Sequence, residues 1–321
     1  MPRISRMSAI LLLCVSLWFS SSSLLAQAPK SSSTSAASSA PSEQQAAAFA
    51  KEGRCKEALP GLQRALNSSG SPESKKDTAI LGLRCSLNLD NRESALDFLH
   101  FLGHQFPHDP EVLFIVVHAY SDLSTRTAQD LGRTAPQSVA AHKLNAEALE
   151  MQGKWDEAQR EYEAIIEKYP DTQGIHYLLG RLLLSRPDAD NKFAARAKEE
   201  FEKELQLDPH NAGAEFILGE MAQQDSQWDD AIAHYTRATK LNVTFGDAYM
   251  SLGFCLVTQK RYEEAIAPLR VAVRLQQGNP AAHYNLAVAL SRTGNKDEAE
   301  KEFALQRQLT QTSAPADQKP Q

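Results

Sequence analysis

Past its first 28 residues, this 321-residue sequence has no apolar run approaching the ~20 residues that a membrane-spanning helix needs. No integral membrane segment is therefore expected once that leader is gone. Cysteine is scarce, four in all, and no two form a Cys-x-x-Cys pair. There is no Gly-x-Ser-x-Gly, no phosphate-cradling glycine loop and no His-Glu-x-x-His, so no catalytic residue, metal or cofactor is expected. Basic residues number 34 against 40 acidic ones, and no block of Lys or Arg stands out. A net charge of −6 argues against a nucleic-acid partner, whose phosphates would call for the opposite sign. Runs of β-branched residues are few and strict alternation never lasts, which argues against strands.

What is present begins with a leader. Arg3 and Arg6 precede an apolar core from Ala9 to Phe19, and Ala26-Gln27-Ala28 forms an A-x-A cleavage pattern. Residues 1–28 thus read as a signal peptide for export to a periplasmic or secreted location, with a retained membrane anchor as the alternative, against which the shortness of the apolar run tells. Cleavage after Ala26 and after Ala28 both stay open, because Pro29 directly after the second site removes an N–H. Residues 29–42 are rich in Ser, Ala and Thr, residues 310–321 are polar with two prolines, and both are expected to be disordered flanks of an array over 43–309. Loss of the leader removes two arginines and no acid, taking the charge from −6 to −8.

The centre of the chain says the same thing twice. Leu218-Gly219, Trp228, Asp230-Ala231, Tyr235 and Ala238 recur as Leu252-Gly253, Tyr262, Glu264-Ala265, Leu269 and Ala272, each 34 residues later. A fixed period of this length signals a repeat array. Between Gly219 and Ala231 lies one polar turn, Asp225-Ser226-Gln227, flanked by apolar residues at helical spacing, so each unit is a helical hairpin. Small residues mark where helix backbones approach closely, and the large ones fill the space beside them. A single hairpin cannot bury its apolar faces alone, so neighbours must stack.

These residues resemble the tetratricopeptide repeat (TPR) family. The resemblance implies an all-α solenoid of about eight hairpins, some sixteen helices, coiled as a right-handed superhelix. The first unit pairs Ala46–Ala50 with Cys55–Leu66, and the second centres on Leu81-Gly82 and Ala95. The third has an apolar first helix from Val112 to Tyr120 and a weak, short second half from Ser124 to Pro136. The fourth carries Gly153, Trp155, Ala158 and Tyr162, and the fifth has Leu179-Gly180 with five extra residues in its turn near Arg186 to Asn191. The eighth ends with a thinning apolar face, Gln306 and Gln308, as suits a terminal repeat that meets water.

In such arrays, the resemblance implies, the first helix of each hairpin lines a concave groove. Three residues before each glycine position lie Phe114, Tyr177, Phe216, Met250 and Tyr284, and one turn on come Arg181, Glu220, Phe254 and Val288. This row is a candidate partner-binding surface, though side chains at that spacing also serve to pack against the neighbouring helix. Some family members clamp a partner's C-terminal carboxylate with Lys and Asn. Here Lys143 and Asn285 are four repeats apart and Glu147 stands where an Asn is needed, so that clamp is not expected.

Cys55 and Cys85 fall at helix ends that stacked hairpins bring side by side. They are candidates for a disulfide in an oxidising compartment, or else for two buried thiols. The nine histidines look scattered. His100 and His104 have metal-ligand spacing, but Pro107 ends their helix before His108. The functional expectation is a non-catalytic protein–protein interaction scaffold of the envelope or secreted space, holding other proteins or peptide segments. The alternative is an accessory of an envelope assembly such as polysaccharide export or glycosyl transfer.

Overall fold

The computed structural model describes residues 41–68, 70–187 and 191–313. The leader, nearly all of the Ser/Ala-rich linker and the last eight residues lie outside them. Among the described residues there are fifteen helices and no strand: the protein is an all-α solenoid of helical hairpins. None of these helices is long and apolar enough to cross a membrane.

Seven pairs form hairpins: α1 (Glu43–Lys51) with α2 (Cys55–Leu66), α3 (Pro72–Asn88) with α4 (Arg92–Gln105), α6 (Val139–Met151) with α7 (Trp155–Lys168), α8 (Ile175–Ser185) with α9 (Asn191–Leu207), α10 (Ala212–Gln224) with α11 (Trp228–Leu241), α12 (Gly246–Thr258) with α13 (Tyr262–Leu275), and α14 (Pro280–Arg292) with α15 (Lys296–Ser313). The third unit is the exception. Its two expected helices are one, α5 (Pro110–Thr134), 25 residues long. The segment 124–134 therefore continues a helix instead of turning back, and the array has seven hairpins where eight were expected. α15 likewise runs past the expected start of the tail at 310.

The chain divides into two compact units, the first ending at Val117 and the second beginning at His118, so the division falls within α5. In the first unit, Ser42 starts α1 with a capping box. Its hydroxyl accepts from the Gln45 backbone N–H while the Gln45 side chain accepts from the Ser42 N–H. Ser71 and Asn91 cap α3 and α4, and Asp109 Oδ1 accepts from the N–H groups of Glu111 and Val112 at the start of α5. Cys55 at the start of α2 and Cys85 in α3 are both buried and are joined by a disulfide with Cα atoms 4.9 Å apart. That bond links the second helix of one hairpin to the first helix of the next.

In the second unit, the small-and-large pattern becomes contact. A Cβ on Gly219 would come within 2.7–2.8 Å of the Tyr235 ring, and one on Gly253 within 2.3–2.4 Å of Leu269. The first helix must carry hydrogen there because the second helix's large side chain lies directly on the backbone. Ala231, Tyr235, Cys255, Ala265, Leu269, Leu286 and Ala289 form one continuous core through α10–α15. A second core joins Ala158, Tyr162, Ile175, Leu179, Phe201 and Leu218 through α6–α10. Glu204, fully buried in α9, closes the start of α8 by accepting from the backbone N–H of Gly174 (2.7 Å) and Tyr177 (3.2 Å) and from Asn211 (3.3 Å).

Candidate functional site

The candidate row is set by helix register. Phe216 and Glu220 lie one turn apart on α10, and Asp247, Met250 and Phe254 share a face of α12. α10 and α12 are held side by side by two contacts. Phe216 lies 4.7 Å, ring to ring, from Phe245, the residue just before α12, and the Cys255 thiol donates to Gln223 Oε1 at 3.4 Å. The same Gln223 oxygen accepts from the Tyr235 hydroxyl at 3.0 Å. α12 also touches α14, which carries Tyr284 and Val288.

The row is split between packing and exposure. Phe216, Met250, Phe254 and Val288 are half-buried, and Phe216 leans on Tyr235 at 5.6 Å. Tyr177 is half-buried between Phe201, 5.8 Å away, and the bare backbone of Gly213. Tyr284 is 51% exposed and meets Phe303 edge-on at 6.0 Å. Each of these side chains thus rests one side on its own stack and offers the other to solvent. Phe114 stands apart from this set: it belongs to the first unit, on α5, where it is strongly exposed.

Charge is uneven along this face. Arg181, exposed on α8, pairs with Glu150 at 3.6 Å, and Glu150 also accepts from the Tyr162 hydroxyl at 2.7 Å. Glu220 is different. Among the described residues, none gives it a hydrogen bond or an ion pair. Burial, and then the neighbouring Asp247, push its carboxyl above the usual value of 4.5. Asp247 is exposed and, among the described residues, accepts from the neutral amide of Gln276 at 2.5 Å. Cys255 is a buried thiol raised to about 11 by desolvation, and it packs within the core that runs through α10–α15.

The histidines are ordered in a way that inspection of the sequence missed. His142 pairs with Glu161 (2.5 Å), His176 with Glu200 (2.5 Å), His234 with Glu215 (2.6 Å) and His283 with Glu302 (2.6 Å). Each pair joins the two helices of one hairpin. Three span 19 residues, and the fourth spans 24, because the α8–α9 turn holds five more. The signal was available. His142, His176, Glu215 and His283 all stand four residues before the small residue of the first helix. Burial alone would raise Glu200 and Glu215. Hydrogen bonds from His176 and Lys203, and from His234 and Arg237, outweigh it and leave both carboxyls below their usual value. His100 and His104 stack at 6.2 Å, and no group of three metal-capable side chains occurs among the described residues.

Family models described as tetratricopeptide repeat match residues 143–195, 222–280 and 256–317. A tetratricopeptide repeat-containing protein of Caenorhabditis elegans, trd-1, is 27% identical over 148 residues, which is 46% of this chain and 18% of that protein. Among solved structures, MamA is 24% identical over 52% of this chain and 95% of its own, with a TM-score of 0.45. YrrB, described as a TPR protein with an unusual peptide-binding site, is 19% identical over 58% of this chain and 93% of its own, with a TM-score of 0.48. Its hairpins, its small-residue columns and these family matches together identify tetratricopeptide repeats within residues 143–317.

Proposed function

We propose that this protein is a non-catalytic interaction scaffold, exported to the periplasm or the secreted space, that holds a segment of another protein along the face built by its first helices. The reading rests on one observation above all. Phe216, Met250, Phe254 and Tyr284 are large and apolar, lie on adjacent first helices, and are only partly used by the fold's own packing. A face of that kind gains by covering its apolar surface, at ~25 cal/mol per Å2 removed from water. The absence of catalytic motifs and the mild acidity of the chain support a protein partner over a substrate or a nucleic acid. Export is supported by the leader-like first 28 residues and by the Cys55–Cys85 bond, a linkage that persists in oxidising compartments.

The test is partner capture from the exported fraction of the native cell by wild-type chain and by the Phe216→Ala/Phe254→Ala double variant. Capture should be lost in the variant while helix content by circular dichroism is retained. Equal capture by both would refute the groove. Location is tested separately by N-terminal sequencing of the protein from fractionated cells. An intact Met1 in the cytosolic fraction would refute export.

A further inference from the structure

The face described above carries a specific charge demand. On α10, Phe216 shares a face with Glu220, and on the neighbouring α12, Met250 and Phe254 share one with Asp247; no cation among the described residues neutralises either carboxylate. Three other partly buried acids of the same unit do have cationic partners. Glu150 has Arg181, Glu215 has Arg237 and His234, and Glu163 has Arg196. Glu220 is also more enclosed than a solvated surface acid. It is half-buried one turn from Phe216, and its field reaches the buried Tyr235 hydroxyl. A like-charged pair set between aromatic walls is unfavourable until a positive charge arrives.

We propose that the occupant of this face is an extended protein segment with a lysine or arginine side chain seated between Phe216 and Phe254 against Glu220 and Asp247, flanked by apolar residues that cover Met250 and Tyr284. The inference rests on the groove reading and adds the chemistry of the partner. The fit is one of charge and shape together. The cation's aliphatic stem lies along the aromatic faces while its head meets both carboxylates, and the rings themselves attract a cation. Because Glu220 is partly shielded from water, its share of the binding falls with added salt less steeply than for a pair on open surface.

The test is selection of a random 12-residue peptide library displayed on phage against the immobilised full chain, with the enriched peptides then synthesised and titrated by fluorescence anisotropy. The expected result is a pool with one fixed Lys or Arg between apolar positions. Affinity should drop about tenfold or more in Glu220→Gln/Asp247→Asn. It should be unchanged in Asp229→Asn, which alters the same charge on an exposed residue outside this face. Enriched peptides that lack a fixed basic residue but are lost on Phe216→Ala/Phe254→Ala would overturn the charge assignment and leave the groove standing. Peptides indifferent to Phe216→Ala/Phe254→Ala, or no enrichment at all, would overturn the groove and this inference with it.

Discussion

Helix α5 and the α10–α11 hairpin begin in the same register and finish differently. In α10 the residue facing the second helix is Gly219; twelve residues on stands Ala231, and sixteen on stands Tyr235, all buried. In α5 the same three places hold Val117, Gln129 and Arg133. A valine where a glycine belongs leaves no room for an aromatic ring, and neither glutamine nor arginine could fill a dry core. The second half therefore gains nothing by folding back, and α5 runs straight through. Its facing stripe stays in view, with Leu113 47% exposed, Val117 64% and Tyr120 51%. A turn residue alone does not make a hairpin. Ser226 adopts a left-handed φ of +60° in the α10–α11 turn, whereas Ser124, at the equivalent place in α5, stays helical. The packing residues on both sides of the turn decide the outcome.

The sharpest way to break this contrast is to hollow out the closed hairpin. Tyr235→Ala should cost about 3–5 kcal/mol, read by urea denaturation, because a fully buried ring leaves a cavity against Gly219. Cys55→Ala removes the cross-link that closes a 30-residue separation and should cost about 3 kcal/mol, with reductant producing the same loss in the wild type and none in the variant. Gly219→Leu or Ala231→Leu, which makes α10–α11 resemble α5, should cost about 1–3 kcal/mol. Near-wild-type melting for both would mean that small residues are not what lets the helices close. The smallest effect belongs to α5 itself. Val117→Ala should change stability by less than about 0.5 kcal/mol, since the side chain is largely in water.

Acid separates the hairpins along another axis. Glu200 and Glu215 are held below the usual 4.5 in the folded chain. Their pairs therefore stabilise fully above that value and are lost as pH falls through the lower folded one. The melting temperature should drop as pH falls below about 4.5, and Glu215→Gln should flatten that dependence. An unchanged slope in Glu215→Gln would mean that the His234 and Arg237 contacts contribute nothing in solution.

Much of this molecule was legible because the repeats are written in columns. Leu218-Gly219 and Leu252-Gly253 announced the period, and the helices lie where the columns put them. The third unit misled because Val112–Tyr120 reads as a sound first helix. Its failure lies further on, in Gln129 and Arg133, where a column of alanines and large residues stops. The His–Glu pairs were hidden for a different reason. In three hairpins the histidine is on the first helix, but in α10–α11 the roles are exchanged, Glu215 facing His234. A search for one residue type in one column cannot see a partnership kept only as a His–Glu hydrogen bond between the two helices. The candidate face was legible as a row of positions. What each side chain shares with its own stack, and the lack of a cation beside Glu220 among the described residues, follow from three-dimensional contacts that no spacing records.

The Cys55–Cys85 bond also sets how the chain responds to tension. Stretched from its ends, a solenoid lengthens one helix pair at a time, and each pair surrenders its full contour. Between these two cysteines, 30 positions apart, that cannot happen while the bond is intact. On the order of 100 Å of extended backbone stays locked away, to be released as a single extra increment after chemical reduction.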